Sequence, residues 1–386
     1  MPPGREGLGP LDLLVVQATP FCNLDCRYCY LPDRSRTDRM SVEVLEALFR
    51  WVFSSGLVRT PFTVAWHAGE PLVLRPAFYA TAFAAAARHN VEQLPLVHSF
   101  QTNATLIDQA WCDFVKAHDV RIGVSVDGPD FLHDRSRVTR SGAGTHSRVM
   151  RGIERLRQHG IPFHVITVLT RELLDYPDEL YEFYVEHGIE HVGFNIEEVE
   201  GPHRESSLSA TDTEARFRRF MACFLDLAAG GPAPLWVREH ESLKRAILDE
   251  PTETATGTQE TTPFAIVSVD WKGNVSTFSP ELLGLADERY GDFMLGNVRT
   301  DSLDAMLTSP RFGALRHDIE AGIAQCRHDC AYFQFCGGGA PVNKLSENGS
   351  FVSTETLFYR LNRQAMLDVV LDRLRPSRPE GTWRRA

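Results

Sequence analysis

The chain has 386 residues, and 40 Lys and Arg against 51 Asp and Glu leave a net charge of −11. That balance argues against nucleic acid as the partner, because phosphate-binding surfaces carry a basic excess. A hydrophobic share of 43% with 24% charged residues suits a globular, core-forming protein. No apolar run approaches the ~20 residues of a membrane span, and Met1–Pro10 is not a secretory signal; a cytoplasmic protein with no membrane partner is expected.

Residues 1–10 read as a flexible N-terminus, too short for a separate peptide-binding domain. Runs rich in Val, Ile, Leu, Phe and Trp follow at 11–17, 62–66, 95–101, 121–126, 163–169 and 191–196. Helical patterns separate them at 41–55, 76–89, 108–118, 145–159 and 177–187, with Ser41 as a cap and Gly160 and Gly188 after final turns. Six strands joined by helical crossovers imply a parallel sheet, open or curled into a partial barrel, over residues 11–200. The continuous apolar strands suit a sheet covered on both faces.

Residues 201–263 read as a helical bridge and linker. Thr211 and Glu214 predict a capping box ahead of an amphipathic helix, and the Thr-rich stretch 251–263 predicts a mobile loop. A small α+β extension over 264–374 follows, with strands at 264–270 and 274–278 around Lys272-Gly273 and a final helix from 354. Residues 375–386 read as a flexible tail.

In parallel α/β sheets the ligand site lies beyond the carboxyl ends of the strands, and the unusual residues fall there. Strand one runs into Cys22, Cys26 and Cys29, and strand two into Gly69-Glu70-Pro71. Strand three ends in Thr102-Asn103, strand four in Ser125 and Asp127, and strand six in Glu197 and Glu198. Of eight cysteines, six form two groups, the first three and Cys326, Cys330 and Cys336; Cys112 and Cys223 read as plain buried thiols. Grouped thiols in a chain without an export signal point to zinc or iron–sulfur rather than disulfides.

Cys22-x3-Cys26-x2-Cys29 with Tyr28 before the third cysteine resembles the signature of the radical S-adenosylmethionine (SAM) enzymes, and the resemblance covers roughly residues 11–200. Gly69-Glu70-Pro71 is similar to that family's GGEP motif, with Ala68 in place of the first glycine. Ser125-x-Asp127-Gly128, and His133-Asp134 followed by Arg137, look like its peptide-modifying branch. By that resemblance the three cysteines hold a 4Fe-4S cluster whose open iron chelates SAM. Tyr28, Gly69, Glu70, Pro71, Thr102, Asn103, Ser125 and Arg137 then surround the cofactor. One electron into the sulfonium releases methionine and a 5′-deoxyadenosyl radical, supplied through a donor such as flavodoxin or ferredoxin. Positioning of substrate and exclusion of water fall to the protein.

The second group, Cys326-x3-Cys330-x5-Cys336 before Gly337-Gly338-Gly339, resembles SPASM-type extensions and implies one auxiliary 4Fe-4S cluster. Its fourth ligand is open, with His328, Cys112 and Cys223 as candidates and a zinc knot as the alternative. The text from residue 266 resembles the GrrM/OscB-like maturases, which form cyclophanes on ribosomal precursor peptides; Tyr359 stands where that pattern has a cysteine. The implied reaction joins an aromatic ring to a β-carbon, with Asp127, Asp270 and Glu281 as candidate bases. Glu197 and Glu198 read as exposed loop charges, with contact to a cationic substrate residue or the ribose as the other possibility. Competing readings are oxidation of a Ser or Cys side chain as in sulfatase maturases, epimerisation, and a non-catalytic iron–sulfur or zinc protein.

Overall fold

In a computed structural model the protein is described over residues 5–232, 235–248 and 258–375. Six parallel strands form the centre: β1 (Leu13–Val16), β2 (Phe62–Trp66), β3 (Leu96–Thr102), β4 (Arg121–Ser125), β5 (Phe163–Leu169) and β6 (His191–Ile196). Each pairs with its neighbour in sequence order, the arrangement of a partial (β/α) barrel. Their crossovers carry α1 (Val42–Ser54), α2 (Pro76–His89), α3 (Gln109–His118), α4 (Asp130–Ser136), α5 (His146–Gln158) and α6 (Pro177–Glu186). Ser41 caps α1 by accepting from the Val44 N–H, and Asp108 caps α3 through Trp111. Gly160 and Gly188 follow α5 and α6 at φ 62° and 58°, a left-handed geometry in which glycine carries no Cβ penalty.

After β6 come α7 (Thr213–Gly230), the short strand β7 (Trp236–Val237) and α8 (Arg238–Leu248). The hairpin β8 (Ile266–Val269) and β9 (Asn274–Thr277) does not stand apart as a separate small sheet. Its first strand pairs parallel with β1, and β10 (Gly296–Asn297) pairs with its second, so one ten-stranded sheet runs β10-β9-β8-β1-β2-β3-β4-β5-β6-β7. The remainder is helical: α9 (Leu303–Leu307), α10 (Pro310–Asp329), α11 (Phe333–Cys336), α12 (Pro341–Asn348), α13 (Leu357–Tyr359) and α14 (Met366–Leu374). A π-turn, Arg360–Ala365, joins the last two where a single helix is expected from the sequence.

The two faces of the sheet differ in burial. On β5, Val165, Thr167 and Leu169 are buried under helices, whereas His164, Ile166 and Val168 are half-buried on the other face. That inner face borders a cavity, so the expectation of full cover on both faces fails there. The outer core is aromatic: Tyr79 on α2 lies 5.1 Å from Trp66 and 4.7 Å from Phe100, centroid to centroid. Its hydroxyl donates to the Pro71 carbonyl at 2.8 Å, which ties the turn after β2 to the core.

Other sequence expectations are revised. Thr211 does not cap α7: Asp212 is the N-cap and makes no side-chain cap bond, because its carboxylate pairs with Arg171 and Arg216. The stretch before β1 is anchored from Arg5, which pairs with Asp304 and donates to the Ser55 carbonyl, while Leu8 is buried. Residues 1–4, 251–257 and 376–386, which carry most of the flexible ends and the loop expected from the sequence, lie outside the described residues. No helix among the described residues is long and apolar enough to cross a membrane.

Phe224 on α7 is fully buried, with ring centroids of Phe194 at 5.0 Å and Phe220 at 5.8 Å. Phe224→Ala is expected to lower stability by about 3–5 kcal/mol through the cavity it leaves, read as a reduced urea midpoint.

Candidate active site

The loop from β1 carries the first three cysteines and is closed by one arginine of its own and one from the segment after α4. Arg140 donates to the Cys22 carbonyl through Nε at 3.2 Å and Nη2 at 2.7 Å, and Arg34 pairs with Asp25. Cys22, Cys26, Cys29 and Tyr28 border one cavity of about 230 Å³ together with Gly69, Glu70, Thr102, Asn103, Ser125 and Arg137. Residues from six strand ends meet there. Pro71 is not on its wall; it opens a short 3-10 turn that Glu70 caps.

At Gly69 the first two loops touch backbone to backbone. A Cβ there would lie 2.4 Å from the Thr19 carbonyl, and φ is +135°, so only glycine fits. Ala68, where the family motif has glycine, takes φ 63°, a left-handed conformation that costs an L-residue about 1–2 kcal/mol. The Glu70 carboxylate accepts from the Thr102 hydroxyl at 2.6 Å, the Asn103 N–H at 2.8 Å and the Leu72 N–H at 3.0 Å. Burial outweighs these donors and pushes its carboxyl up to about 7. Asn103 also donates to Asn23 at 2.9 Å, linking the cysteine loop to the end of β3.

Asp127 is not a free base. Its buried carboxylate accepts from Arg137 Nε at 3.0 Å and Nη2 at 3.1 Å, from the Tyr28 hydroxyl at 2.5 Å and from the Val168 N–H at 3.0 Å. Four donors hold it, and it positions Arg137 over the Tyr28 ring, 5.3 Å from the centroid. Asp270 lies in the β8–β9 turn, where it accepts from Lys272 and Asn274 N–H groups away from the cavity. Glu281 does reach the cavity wall.

Glu197 and Glu198 are not exposed loop charges. Glu197 is buried, accepts from the Ser207 N–H at 2.8 Å and pairs with His203. Glu198, Glu200 and Glu281 line both the first cavity and a neighbouring one of about 330 Å³, which Glu260 also borders. Burial raises Glu198 to about 8 and Glu281 to about 7; Glu200 is raised by burial and by its acidic neighbours. Asn343 donates to Glu198 at 2.6 Å and Glu200 at 3.2 Å. The strand-end rule marks His67, Gln101 and Asn195, which also line these walls; sequence reasoning missed Tyr30 as a wall residue and Glu200, which carries no motif.

The second cysteine group gathers round a third cavity, of about 280 Å³. Cys326 ends α10, Cys330 follows it, Cys336 ends α11, and Tyr359, Asp329, Glu355 and Gln364 share the wall. His328 points to solvent, Cys112 is buried on α3 and Cys223 lies on α7, so none of the three expected fourth ligands borders this cavity. Arg363, on the π-turn, borders both this cavity and the acidic one. A cavity of about 700 Å³ opens at the opposite end of the barrel near Lys116, Arg121 and Trp236, with no cysteine in its wall.

Residues 16–199 match the Radical SAM superfamily. The chain is 46% identical over 373 residues to the uncharacterized protein sll1766 of Synechocystis sp., covering 96% of this chain and 93% of that one. The chain belongs to the radical SAM superfamily. It is an enzyme of that superfamily, with a 4Fe-4S cluster and SAM as cofactors. A serine-type anaerobic sulfatase-maturating enzyme of Klebsiella aerogenes is 33% identical over 211 residues, so the chain spans about half of that relative (54% of this chain, 52% of the other). Native anSMEcpe with bound AdoMet and Cp18Cys peptide has the same fold, with a TM-score of 0.76 at 22% identity over 94% of this chain and 97% of that one.

The first donor set fits an iron–sulfur core. Burial, with the nearby Glu70 carboxylate, pushes the Cys22 thiol up to about 12, and burial takes Cys26 to about 11 against the pull of Arg137. Such thiols become thiolates only when a cationic core ligates them. Among the described residues no three His, Cys, Asp or Glu side chains close on a single ion-sized point; the three thiols border a common cavity instead.

Two stability measurements check this geometry. Asp127→Ala leaves the buried Arg137 without its counter-charge and is expected to lose about 3–5 kcal/mol in chemical denaturation, whereas a purely catalytic Asp127 would leave stability unchanged. Ala68→Gly relieves the left-handed alanine and is expected to gain about 0.5–1 kcal/mol, seen as a higher thermal midpoint.

Proposed function

We propose that this radical SAM enzyme modifies a ribosomally made precursor peptide, joining an aromatic ring carbon to the β-carbon of a nearby residue. Cys22, Cys26 and Cys29 would ligate the SAM-binding cluster, and Cys326, Cys330 and Cys336 an auxiliary 4Fe-4S cluster. When bound, the first cluster and SAM supply a 5′-deoxyadenosyl radical that removes one hydrogen atom from the peptide. The chain's own residues position the reactants. Glu70, Thr102, Asn103 and Ser125 line the methionine and ribose side, while Tyr28 and Arg137 close the floor.

The observation that carries the reading is Glu281. It stands in the wall shared by the cofactor cavity and the acidic cavity, and burial raises its carboxyl to about 7, where a base can both take and release a proton. Ring closure on an arene removes two hydrogens from the peptide: one as an atom to the deoxyadenosyl carbon, one as a proton to Glu281. One electron leaves with that proton and would be accepted by the auxiliary cluster that Cys326, Cys330 and Cys336 would hold. Burial, with Glu281 and Glu260 nearby, raises the carboxyls of Glu198 and Glu200, which would offer hydrogen bonds to the peptide beside Glu281. Flavodoxin or ferredoxin is the electron donor in this reading. The likeness to sulfatase-maturating enzymes favours a second product from the same machinery, oxidation of a Ser or Cys side chain.

Anaerobic assay with dithionite, SAM and a candidate precursor tests both. Wild-type protein is expected to release 5′-deoxyadenosine and to form a peptide two hydrogens lighter that resists fragmentation between the joined residues. Fragmentation throughout would favour side-chain oxidation. Cys26→Ala is expected to abolish 5′-deoxyadenosine release. Glu281→Gln is expected to keep that release but lose most of the peptide product. The base is active when deprotonated, so product formation rises with pH through about 7 in the wild type, and the Gln variant lacks that rise.

A further inference from the structure

Lys344, on α12, is a buried cation without a carboxylate. Its side chain is 2% exposed, and its ammonium donates to the Gly322 carbonyl at 3.1 Å and to the Cys326 sulfur at 3.2 Å. Among the described residues no Asp or Glu forms an ion pair with it. The slot is built for it. Gly322 lies one turn before Cys326 on α10, and a Cβ there would meet the Phe351 carbonyl at 2.1 Å and Lys344 Nζ at 3.3 Å. A desolvated ammonium whose partners are a carbonyl and a neutral thiol is poorly compensated, because burying a charge costs much more than two neutral hydrogen bonds return. Its position therefore calls for negative charge at the sulfur.

We infer that Lys344 is the internal counter-ion of an anionic iron–sulfur centre on Cys326, Cys330 and Cys336, and that it raises the reduction potential of that centre. The inference rests on the reading of these cysteines as cluster ligands and adds to it a residue outside the ligand set. One electron entering the centre adds one negative charge beside the ammonium, so a fixed cation favours the reduced form. Hydrogen bonds to ligand sulfurs and nearby charge are the protein's ordinary levers on such potentials. Arg363, Asp329 and Glu355 border the same cavity. Gln364 donates to the Cys330 sulfur at 3.9 Å, but the shorter hydrogen bond to a ligand sulfur, and the one from a cation, is made by Lys344 at 3.2 Å. Lys344 is thus a positioning and tuning residue, not a catalytic one.

The test uses the full-length chain with Cys22, Cys26 and Cys29 changed to Ala, loaded anaerobically with iron and sulfide and titrated with dithionite at fixed potentials. Lys344→Gln keeps a hydrogen-bond donor but no charge, and Lys344→Arg keeps the charge. The Gln variant is expected to shift its one-electron reduction equilibrium at least tenfold, a midpoint lower by 59 mV or more, and the Arg variant to keep the wild-type midpoint. A Gln variant that holds iron at the wild-type midpoint overturns the inference while leaving the cluster itself intact. Lys344→Met supplies a second readout. Its metal-free form is expected to resist urea at least as well as the metal-free parent, because a poorly compensated buried charge has gone, while its gain on loading shrinks. A metal-free Met variant much weaker than its parent makes Lys344 a plain packing residue and overturns the inference. If the parent binds zinc and no iron, the cluster reading falls as well.

Discussion

One buried anion organises the catalytic end of the barrel. The Asp127 carboxylate, beyond the end of β4, is claimed by Tyr28 from the cysteine loop, by Arg137 after α4 and by the backbone of β5. Three segments distant in sequence are held by one carboxylate with its donors satisfied, and removing it would strand a guanidinium in the interior. A second knot, of Glu70 with Thr102 and Asn103, fastens the next two loops, and Asn103 reaches back to Asn23. The cysteine loop therefore does not drape over the barrel; it is locked from two sides before any cofactor arrives. Such preorganisation is what a reaction governed by positioning requires.

Charge is graded along the molecule. Arg34, Arg137 and Arg140 support the first thiols, a buried group of glutamates follows, and Lys344 and Arg363 surround the second set. Arg238 and Arg363 border the same cavity as these glutamates, and burial raises the carboxyls of Glu198, Glu200, Glu260 and Glu281. Glu281 borders the first and the acidic cavity, and Arg363 borders the acidic cavity and the one beside the second cysteines.

The parts legible in the sequence were those whose physics is local. Apolar runs and caps such as Ser41 locate β1–β6 and the helices α1, α2, α3, α5 and α6 to within a residue or two, because each depends on neighbours a turn away, whereas α4 and the long α10 leave no such mark. The strand-end rule, which follows from topology alone, marks Glu70, Thr102, Asn103 and Ser125, and all four line the cavity that the first cysteines border. What escaped depends on distant partners. Asp127 reads as a candidate base until its donors from three segments are seen. Glu198 reads as a loop charge because Asn343, which holds it inside, lies in another element 145 residues on. Thr211 reads as the cap of α7, yet Asp212 takes the N-cap position and its carboxylate is held by Arg171 and Arg216. Lys344 sits in a polar stretch where a lysine ordinarily points to water, and its burial depends on contacts with Gly322 and Cys326 on another helix. The hairpin at 264–278 was recognisable, but its docking beside β1 was not, because a parallel partner chosen across 250 residues leaves no mark in the local pattern.

The central claim is that Cys22, Cys26 and Cys29 carry a cluster with one iron open to SAM. The most direct measurement is electron–nuclear double resonance on the dithionite-reduced protein, using SAM labelled with 15N in its amino group and 17O in its carboxylate. The account predicts coupling of both labels to the cluster spin, lost when the three cysteines are replaced. Reduced, iron-loaded protein that shows no coupling to either label would contradict it.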